Sequence, residues 1–455
     1  MTTRMEGLDQ FSIFSQGNQV RMDLLVTNGS RYWVLAKNLE WKELGEVANK
    51  YRAQKVNIHN GRPLNLRMHL GAMIAQSLGG WTDRETEEMM KYHAGVRLLC
   101  GLEQSQESLD HTSIESFRNQ VGSAGFEEIN KLVIKVALEK NFTDVELCSS
   151  DTTVQESPIE YPTEVGHMKK MAAKLVATAR DLGKATAEKM TKLGEASQKI
   201  FTTIRLFARG KSQKAVEKKK KLSIKMHSKL RKMAHLMGSA IRDIKGKAKE
   251  RYQEELKLYE DILGQIRKWL KTGFHPKDKI LSLWEKTARA ISKGKLSKPT
   301  EFGRRWVITN LKNGYTLGKP LDLGADNDLK IAPEALQNFY EMTEELPKVF
   351  IYDRGADSPL NHEFLKEAGI EVDAIFCKGQ KSLKHMSDPS YESTARQLRA
   401  STEASIATLK HPRYKFNKPN AKTSKGCVLK GFSAMLGANL NRLHKDLTGL
   451  RIRRA

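Results

Sequence analysis

A strongly basic block with helical periodicity occupies residues 167–270. It holds roughly 28 lysines and arginines but 10 acidic residues, so about +18 of the net charge of +25 lies in under a quarter of the 455 residues. Apolar residues recur there at spacings near 3, 4 and 7, which places them on one face of a helix. Two such sets flank Ala208-Arg209-Gly210 and predict two long antiparallel helices. The first set is Met168, Met171, Leu175, Leu182, Met190, Leu193, Ile200, Ile204 and Phe207, and the second is Leu230, Met233, Met237, Ile241, Ile244, Tyr252, Leu256, Tyr259 and Ile266.

A run of four cations lies inside this block, at Lys218, Lys219, Lys220 and Lys221. A charge run is usually a solvated helix face. A surplus this large and this local favours a phosphate-binding surface instead. We therefore expect a polyanionic partner, with nucleic acid ahead of an anionic membrane.

Strand signals stand on both sides of the basic block. Before it, residues 143–155 predict a strand with Asp151 at its far end. After it, turn residues and alternating patterns predict a series of short elements. They are a helix over 277–292, strands over 304–309 and 315–321 around Asn313-Gly314, a helix over 333–344, a strand over 348–352, a helix over 359–368, a strand over 372–377 and a final helix over 392–410. This order predicts an α/β sheet domain interrupted by a helical arm.

Residues 62–142 predict helices throughout. Thr82 and Glu85 stand in the capping-box relation that opens one of them. Short helices with tight glycine turns fit a helix-turn-helix module, and they fit equally a helical bundle that makes no DNA contact. Residues 1–61 are of unclear structure apart from a helix over 39–51, and 446–455 form a basic tail.

The cysteines are scattered, with no C-x-x-C pair, at Cys100, Cys148, Cys377 and Cys427. This argues against a zinc ribbon or a disulfide framework and fits a reducing cytoplasm. No apolar run approaches the roughly 20 residues that span a bilayer, and the N-terminus has no secretory signal. We expect a cytoplasmic, nucleoid-associated protein with no membrane partner.

Two aspartates follow predicted strands, Asp151 and Asp353, and each alone is more often a turn or cap residue. In a mixed sheet their strands can be neighbours, which would bring both carboxylates to one edge. On the last predicted helix, Arg399, Glu403 and Lys410 fall within about 40° of one face. That stripe is either a solvated ion-pair face or a metal ligand flanked by phosphate-binding cations. Three carboxylates can bind two Mg²⁺ ions about 3.5–4 Å apart.

The chain resembles bacterial insertion-sequence transposases of the DDE type, which have an RNase H-like catalytic domain. Four segments carry the resemblance, and residues 62–121 add a likeness to the helical N-terminal domain of these enzymes through PLNLRMHLGA, GWTDRET and LDHTSIESFR. The four are SDTTVQESPIEYPTE at 150–164, LSKPTEFGRRWVI at 296–308, YDRGADSPLN at 352–361, and R-x₃-E-x₆-K at Arg399, Glu403 and Lys410. The likeness covers roughly 62–445, with all motifs in order.

The resemblance implies that Asp151, Asp353 and Glu403 bind two Mg²⁺ ions, for which Mn²⁺ can substitute. It also implies that Arg399 and Lys410 hold terminal DNA phosphates or orient Glu403. The family often has a tyrosine three residues before the signature arginine.

Three residues before the signature Arg399 this chain has Arg396 instead of a tyrosine, and this departure affects only an accessory phosphate contact.

The implied reaction is cleavage at the element's ends, which frees a 3′-hydroxyl that then attacks target DNA. The implied partners are double-stranded DNA, both element ends and target, and a second copy of the protein, because two ends must be joined.

The implied domains are a helical DNA-binding domain at 62–142, an RNase H-like domain from 143–166 and 296–445, and a basic helical insertion at 167–295. Two alternatives stay open: a transposase-derived DNA-binding protein without catalytic activity, and an RNase H-like nuclease acting on RNA. The complete carboxylate triad favours the active transposase over the first. The helical domain and the basic arm suit duplex ends better than RNA.

Overall fold

The computed structural model describes most of the chain, and its contacts divide the chain into two compact units. The first is Met1–Pro158 with Arg304–Ala455, and the second is Ile159–Gly303. The second unit is longer at both ends than the predicted insertion at 167–295. The described residues are 25–58, 63–103, 106–207, 210, 212–276, 278–292, 300–321, 331–376, 390–421 and 423–449.

Helices fill the described chain before the first strand. They are α1 Arg31–Asn38, α2 Trp41–Ala53, α3 Leu66–Gly79, α4 Asp83–Tyr92, α5 Ala94–Leu99 and α6 His111–Glu139. The predicted capping box is present, because Thr82 N donates to Glu85 Oε2 at 2.7 Å and Glu85 N donates to Thr82 Oγ1 at 3.2 Å. α6 is a single element of 29 residues that kinks at Gly122, where φ is 69°.

The sheet is mixed, as predicted, and its order in the first unit is β4–β3–β1–β5–β6. The strands are β1 Leu147–Glu156, β2 Arg289–Ser292, β3 Thr300–Asn310, β4 Thr316–Pro320, β5 Val349–Tyr352 and β6 Val372–Ile375. β5 is parallel to β1 and β6, whereas β4 is antiparallel to β3, as the predicted hairpin requires.

β1 and β3 are antiparallel, as two side-chain contacts show. Ser150 Oγ lies 2.7 Å from Thr309 Oγ1, and Trp306 Nε1 donates to Gln155 Oε1 at 3.0 Å. Residue numbers therefore rise along one strand as they fall along the other.

The second unit contains four helices in its described residues, where two were predicted. They are α7 Glu164–Ala179, α8 Lys184–Leu206, α9 Gln213–Ile241 and α10 Lys247–Thr272. The two-helix prediction was wrong because Gly183 (φ 103°) and Gly246 (φ 67°) break the helical path without breaking the apolar periodicity. The apolar residues still share one core, in which Met171, Leu230 and Tyr259 are fully buried.

The helix predicted over 277–292 was also wrong. No helix is present in residues 278–288. The following residues form β2, which pairs with the first residues of β3. Side chains of the same unit form hydrogen bonds with backbone groups that a helix would pair internally. Gln265 Oε1 accepts from Ile280 N at 2.9 Å, and His167 Nε2 lies 2.8 Å from Leu281 O.

Four helices accompany the later strands in the described chain. They are α11 Ile331–Thr343, α12 Pro359–Glu367, α13 Ser390–Leu409 and α14 Ser424–Leu447. The prediction that α13 is the final helix was wrong, since α14 follows it.

α14 packs between the N-terminal helices and the sheet. Ser433 Oγ lies 2.9 Å from Ser77 Oγ, and Asn439 Nδ2 donates to Asn130 Oδ1 and to Thr316 O, both at 2.8 Å. One hydrophobic core therefore contains residues of the N-terminal helices, the sheet and α14.

Parts of several predictions lie outside the described residues. These parts are residues 1–24, Lys277, residues 296–299 of the second motif, Cys377 and residues 450–455 of the predicted tail. Among the helices of the described ranges, none combines the length and apolarity needed to cross a membrane.

Candidate active site

Asp151 lies within β1, and Asp353 directly follows β5, the strand that is parallel to β1 and next to it. The ladder between β1 and β5 pairs Leu147 with Val349 and Ser149 with Ile351, a constant offset of 202 residues. The same offset relates Asp151 to Asp353. Neighbouring strands lie about 4.8 Å apart, so this register brings the two backbones close together.

The two aspartates differ in how their backbones hold them. Asp151 is the fifth of ten residues in β1, so the prediction that it ends the strand was wrong. The strand continues because Val154 and Gln155 bury against the sheet. Asp353 follows β5 directly and caps a short 3₁₀ turn, where its Oδ1 accepts from Gly355 N at 2.7 Å.

Asp151 belongs to the sheet face that α13 covers, and Asp353 follows a strand that packs on that face. Successive strand residues alternate between faces, so Asp151 shares a face with Ser149, and Ile351 of β5 lies on the same side. Ser149 Oγ shares a 2.6 Å hydrogen bond with Thr402 Oγ1 of α13. Ile351 is fully buried in a small core with residues of β1, β6 and α13.

Glu403 follows Thr402 and lies at the flank of α13. Its side chain is 60% exposed, and Oε1 lies 3.4 Å from Arg399 Nη2. Asp151 and Asp353, in contrast, are half-buried. Glu403 thus stands next to the helix residue that contacts β1, with its carboxylate turned to a cation on the same helix.

Two arginines of α13 gather at Phe376, just after β6. The guanidinium carbons of Arg396 and Arg399 lie 5.4 and 5.5 Å from the ring centroid. Arg396 also pairs with Glu392 on its own helix. Lys410 is half-buried, directly after α13. Arg396, Arg399 and Lys410 therefore all lie on or beside the helix that carries Glu403.

The donor set suits Mg²⁺, because carboxylate oxygens are the ligands this ion prefers. The strand order places the backbones of Asp151 and Asp353 near the same part of the sheet. The structure does not complete the triad: within the described residues no group of three or more His, Cys, Asp or Glu side chains is close enough to bind a metal. The ion pair with Arg399 accounts for the present position of the Glu403 carboxylate.

Two side chains, Asn361 and His362, hold the loop after Asp353 through contacts that sequence reasoning missed. Asn361 is buried, and its Nδ2 donates to Ala356 O at 2.6 Å. His362 bridges two carboxylates, with Nε2 3.1 Å from Asp357 Oδ1 and Nδ1 against Asp373. No local sequence pattern connects Asp357 to a histidine on α12.

The cation run of the second unit is partly engaged in internal contacts. Lys219 Nζ donates to Gly210 O at 3.1 Å, and Lys218 Nζ lies 4.2 Å from the centroid of the Phe207 ring. Lys220 and Lys221 are exposed on α9.

Residues 20–120 match a family model described as a transposase domain, DUF772. The chain is also similar to the uncharacterized protein ORF8 in the nfe locus of Rhizobium meliloti. The two are 27% identical over 181 residues, which cover 38% of this chain and 85% of that protein. No solved structure matches. Only the family model carries a transposase description, and its match ends within α6, so that likeness concerns the N-terminal helices.

Proposed function

We propose that the protein is a DNA transposase whose catalytic side chains are Asp151, Asp353 and Glu403. The N-terminal match to a transposase domain supports the general class. The observation that carries the catalytic proposal is that Asp151 lies on β1 and Asp353 at the end of the adjacent parallel strand, on the side covered by the helix that bears Glu403.

The strand arrangement supports an RNase H-like catalytic domain. In the order β4–β3–β1–β5–β6, β3 is antiparallel to both of its neighbours, β4 and β1, whereas β5 and β6 are parallel to β1. The first and second carboxylates then come from the two central neighbours, β1 and β5.

Two Mg²⁺ ions bound by these carboxylates would activate the attacking oxygen and stabilise the leaving oxygen of a DNA phosphodiester. The chain's own contribution is positional. β1 fixes the direction of Asp151 from within a paired strand, and the 3₁₀ turn fixes Asp353. Glu403 joins them by a side-chain rotation away from Arg399, which its exposure on α13 allows.

The cations around α13 suit the DNA phosphates next to the cut. Arg399 loses its intrahelical partner when Glu403 turns inward, so its guanidinium becomes available to a phosphate. Lys410 lies further along the same helix, and Arg396 shares the Phe376 ring with Arg399. The N-terminal helices bind the element's terminal repeats, and two copies of the protein pair the two ends.

One observation favours the second candidate, a transposase-derived DNA-binding protein without catalysis. In the described residues the three carboxylates do not form a closed metal-binding group, and Glu403 is paired with an arginine. The two candidates differ in cleavage and agree in DNA binding.

The test is cleavage of duplexes that span the boundaries of the repeated DNA segment encoding the chain. The full-length protein is incubated with Mg²⁺ or Mn²⁺, and cuts are mapped to the nucleotide. Asp151→Asn, Asp353→Asn and Glu403→Gln should each abolish cutting while leaving duplex affinity intact.

Glu363→Gln is the matched control, because Glu363 is an exposed carboxylate on α12, away from the α13 face. Its cutting should equal the parent's. Cutting by Asp353→Asn at the parental rate would overturn the catalytic assignment. Sequence-specific binding without any cutting by the parent would establish the binding-only candidate.

A further inference from the structure

A basic groove runs between α8 and α9 in the second unit. Its cavity is about 690 Å³ and open along one side. Lys189 and Lys192 line it from α8, and Arg231, Lys232 and His235 line it from α9. Cationic groups from two neighbouring helices thus converge on one space.

The four charged cations of the groove are uncompensated. Within the described part of the chain, neither the two lysines of α8 nor Arg231 and Lys232 form a hydrogen bond or an ion pair. Other lysines of this unit are neutralised: Lys174 pairs with Glu255 at 2.8 Å, and Lys170 pairs with Glu160 at 3.1 Å.

Nearby acids offset only part of this charge. From Lys218 to Ile241, α9 has eight basic residues and no acidic residue. On α8, Glu188 and Glu195 lie about 40° and 60° around the helix from Lys192, but within the described residues neither forms an ion pair with it. Burial lowers the pKa of His227 one turn before Arg231, and Arg231 and Arg267 lower it further, which is consistent with a positive local potential.

We propose that this groove is the arm's binding site for the phosphate backbone of duplex DNA, and that the Lys218–Lys221 run is not. The inference rests on the proposed function as a protein that acts on DNA. It names a surface that the sequence pattern did not single out.

The charge spacing favours a nucleic-acid strand. Lys189 and Lys192 are about 4.5 Å apart along the helix axis, and Arg231 and Lys232 about 1.5 Å. A DNA strand carries one phosphate per about 3.4 Å of duplex axis, so each helix presents charge at a comparable density. A bilayer surface is flat and could not contact both walls of a groove at once.

The run at the start of α9 is less suited to this role. Lys218 and Lys219 are held by Phe207 and Gly210, where they stabilise the turn between α8 and α9. Lys220 and Lys221 are exposed on α9 and do not line the groove, so no cation of α8 converges with them on a shared space.

The test measures duplex affinity against salt concentration, in EDTA so that no cutting occurs. The groove variant carries Lys189→Gln, Lys192→Gln, Arg231→Gln and Lys232→Gln. Its log–log salt slope should fall by about three to four units, since each lost phosphate contact accounts for about 0.9. The effect should be the same for any duplex sequence.

The matched control removes four charges elsewhere in the same unit, through Lys245→Gln, Lys247→Gln, Lys249→Gln and Lys257→Gln. These residues do not line the groove. Its slope should change by less than about one unit. Equal slopes for the groove variant and this control, with both folded by circular dichroism, would overturn the proposal. So would a loss of binding confined to anionic lipid vesicles or to single-stranded RNA.

A second comparison uses Lys220→Gln with Lys221→Gln, which should leave the slope near the parent's. A slope loss per charge equal to that of the groove variant would overturn the choice of the groove over the run. These outcomes are separate from the catalytic proposal, because binding in EDTA is measured whether or not the parent cuts DNA.

Discussion

Ser149 of β1 and Thr402 of α13 share a buried hydrogen bond of 2.6 Å between their hydroxyl oxygens. Ser149 lies two residues before Asp151 on the same strand face, and Thr402 directly precedes Glu403. One contact therefore links the strand that carries the first aspartate to the helix that carries the proposed third carboxylate.

Thr402→Val should lower stability by about 1–2 kcal/mol, because it leaves the Ser149 hydroxyl buried without this partner. It should also reduce the cutting rate more than the affinity for DNA, since α13 loses its tie to β1. Thr408→Val on the exposed side of the same helix is the control and should change stability by less than about 0.5 kcal/mol. An unchanged rate in Thr402→Val would show that the hydroxyl pair does not position Glu403. Adding Ser149→Ala should recover part of the lost stability.

His362→Gln should loosen the segment that follows Asp353. The imidazole bridges Asp357 and Asp373, and without it the two carboxylates face each other with no shared donor. We expect faster trypsin cleavage at the exposed Arg354 and a stability loss of about 1–3 kcal/mol. Glu363→Gln, the exposed neighbour on α12, should change neither quantity. Equal cleavage rates for the two variants would mean that the bridge does not hold the loop.

Gly437→Ala should destabilise the first unit. A Cβ at this position of α14 would lie 2.1 Å from the carbonyl oxygen of Ser77 in α3, and a backbone atom cannot move aside as a side chain can. We expect a loss of about 1–3 kcal/mol in urea unfolding. Gly264→Ala is the control, because that exposed helical position has no atom within 4 Å and should gain up to about 1 kcal/mol. A neutral Gly437→Ala would contradict the close packing of these two helices.

The buried His69 should make stability depend on pH. Burial lowers the pKa of His69 to about 4, and the ring Nδ1 lies 2.8 Å from Asn65 O. The unfolded chain binds this proton near pH 6.5, so the contribution is complete above that pH. It is lost as the pH falls from 6.5 towards 4, by on the order of 3 kcal/mol. His69→Gln should flatten this limb of the stability curve, whereas His411→Gln, at an exposed position, should leave it steep. A parent curve that is flat between pH 6.5 and 4 would contradict the shift.

Local pattern predicted most elements near the candidate site because their signals are local. The hairpin around Asn313-Gly314 and the strand before Asp353 formed close to their predicted bounds. The continuation of β1 past Asp151 depends on pairing with β3, which lies far away in sequence. A strand pattern shows where pairing can begin and does not show how far the partner extends.

The number of helices in the second unit and the contacts that support the candidate site could not be predicted without the three-dimensional structure. Gly183 and Gly246 keep the apolar spacing while turning the chain, so periodicity alone merged four helices into two. The Asp357–His362–Asp373 bridge joins a loop, a helix and a strand, and no spacing rule connects them. Of the predicted triad, only the nearness of the Asp151 and Asp353 backbones follows from the order and direction of the strands.

The position of α14 sets an order for folding during synthesis. Chains emerge from the ribosome N-terminus first, and contiguous domains can fold as soon as they are complete. The second unit is a contiguous segment, Ile159–Gly303, and meets this condition early. The first unit does not, because its core includes Leu436 and Leu440 of α14 against helices made at the start of the chain. The second unit can therefore fold before α14 has been synthesised, whereas the sheet that carries Asp151 cannot complete its core until then.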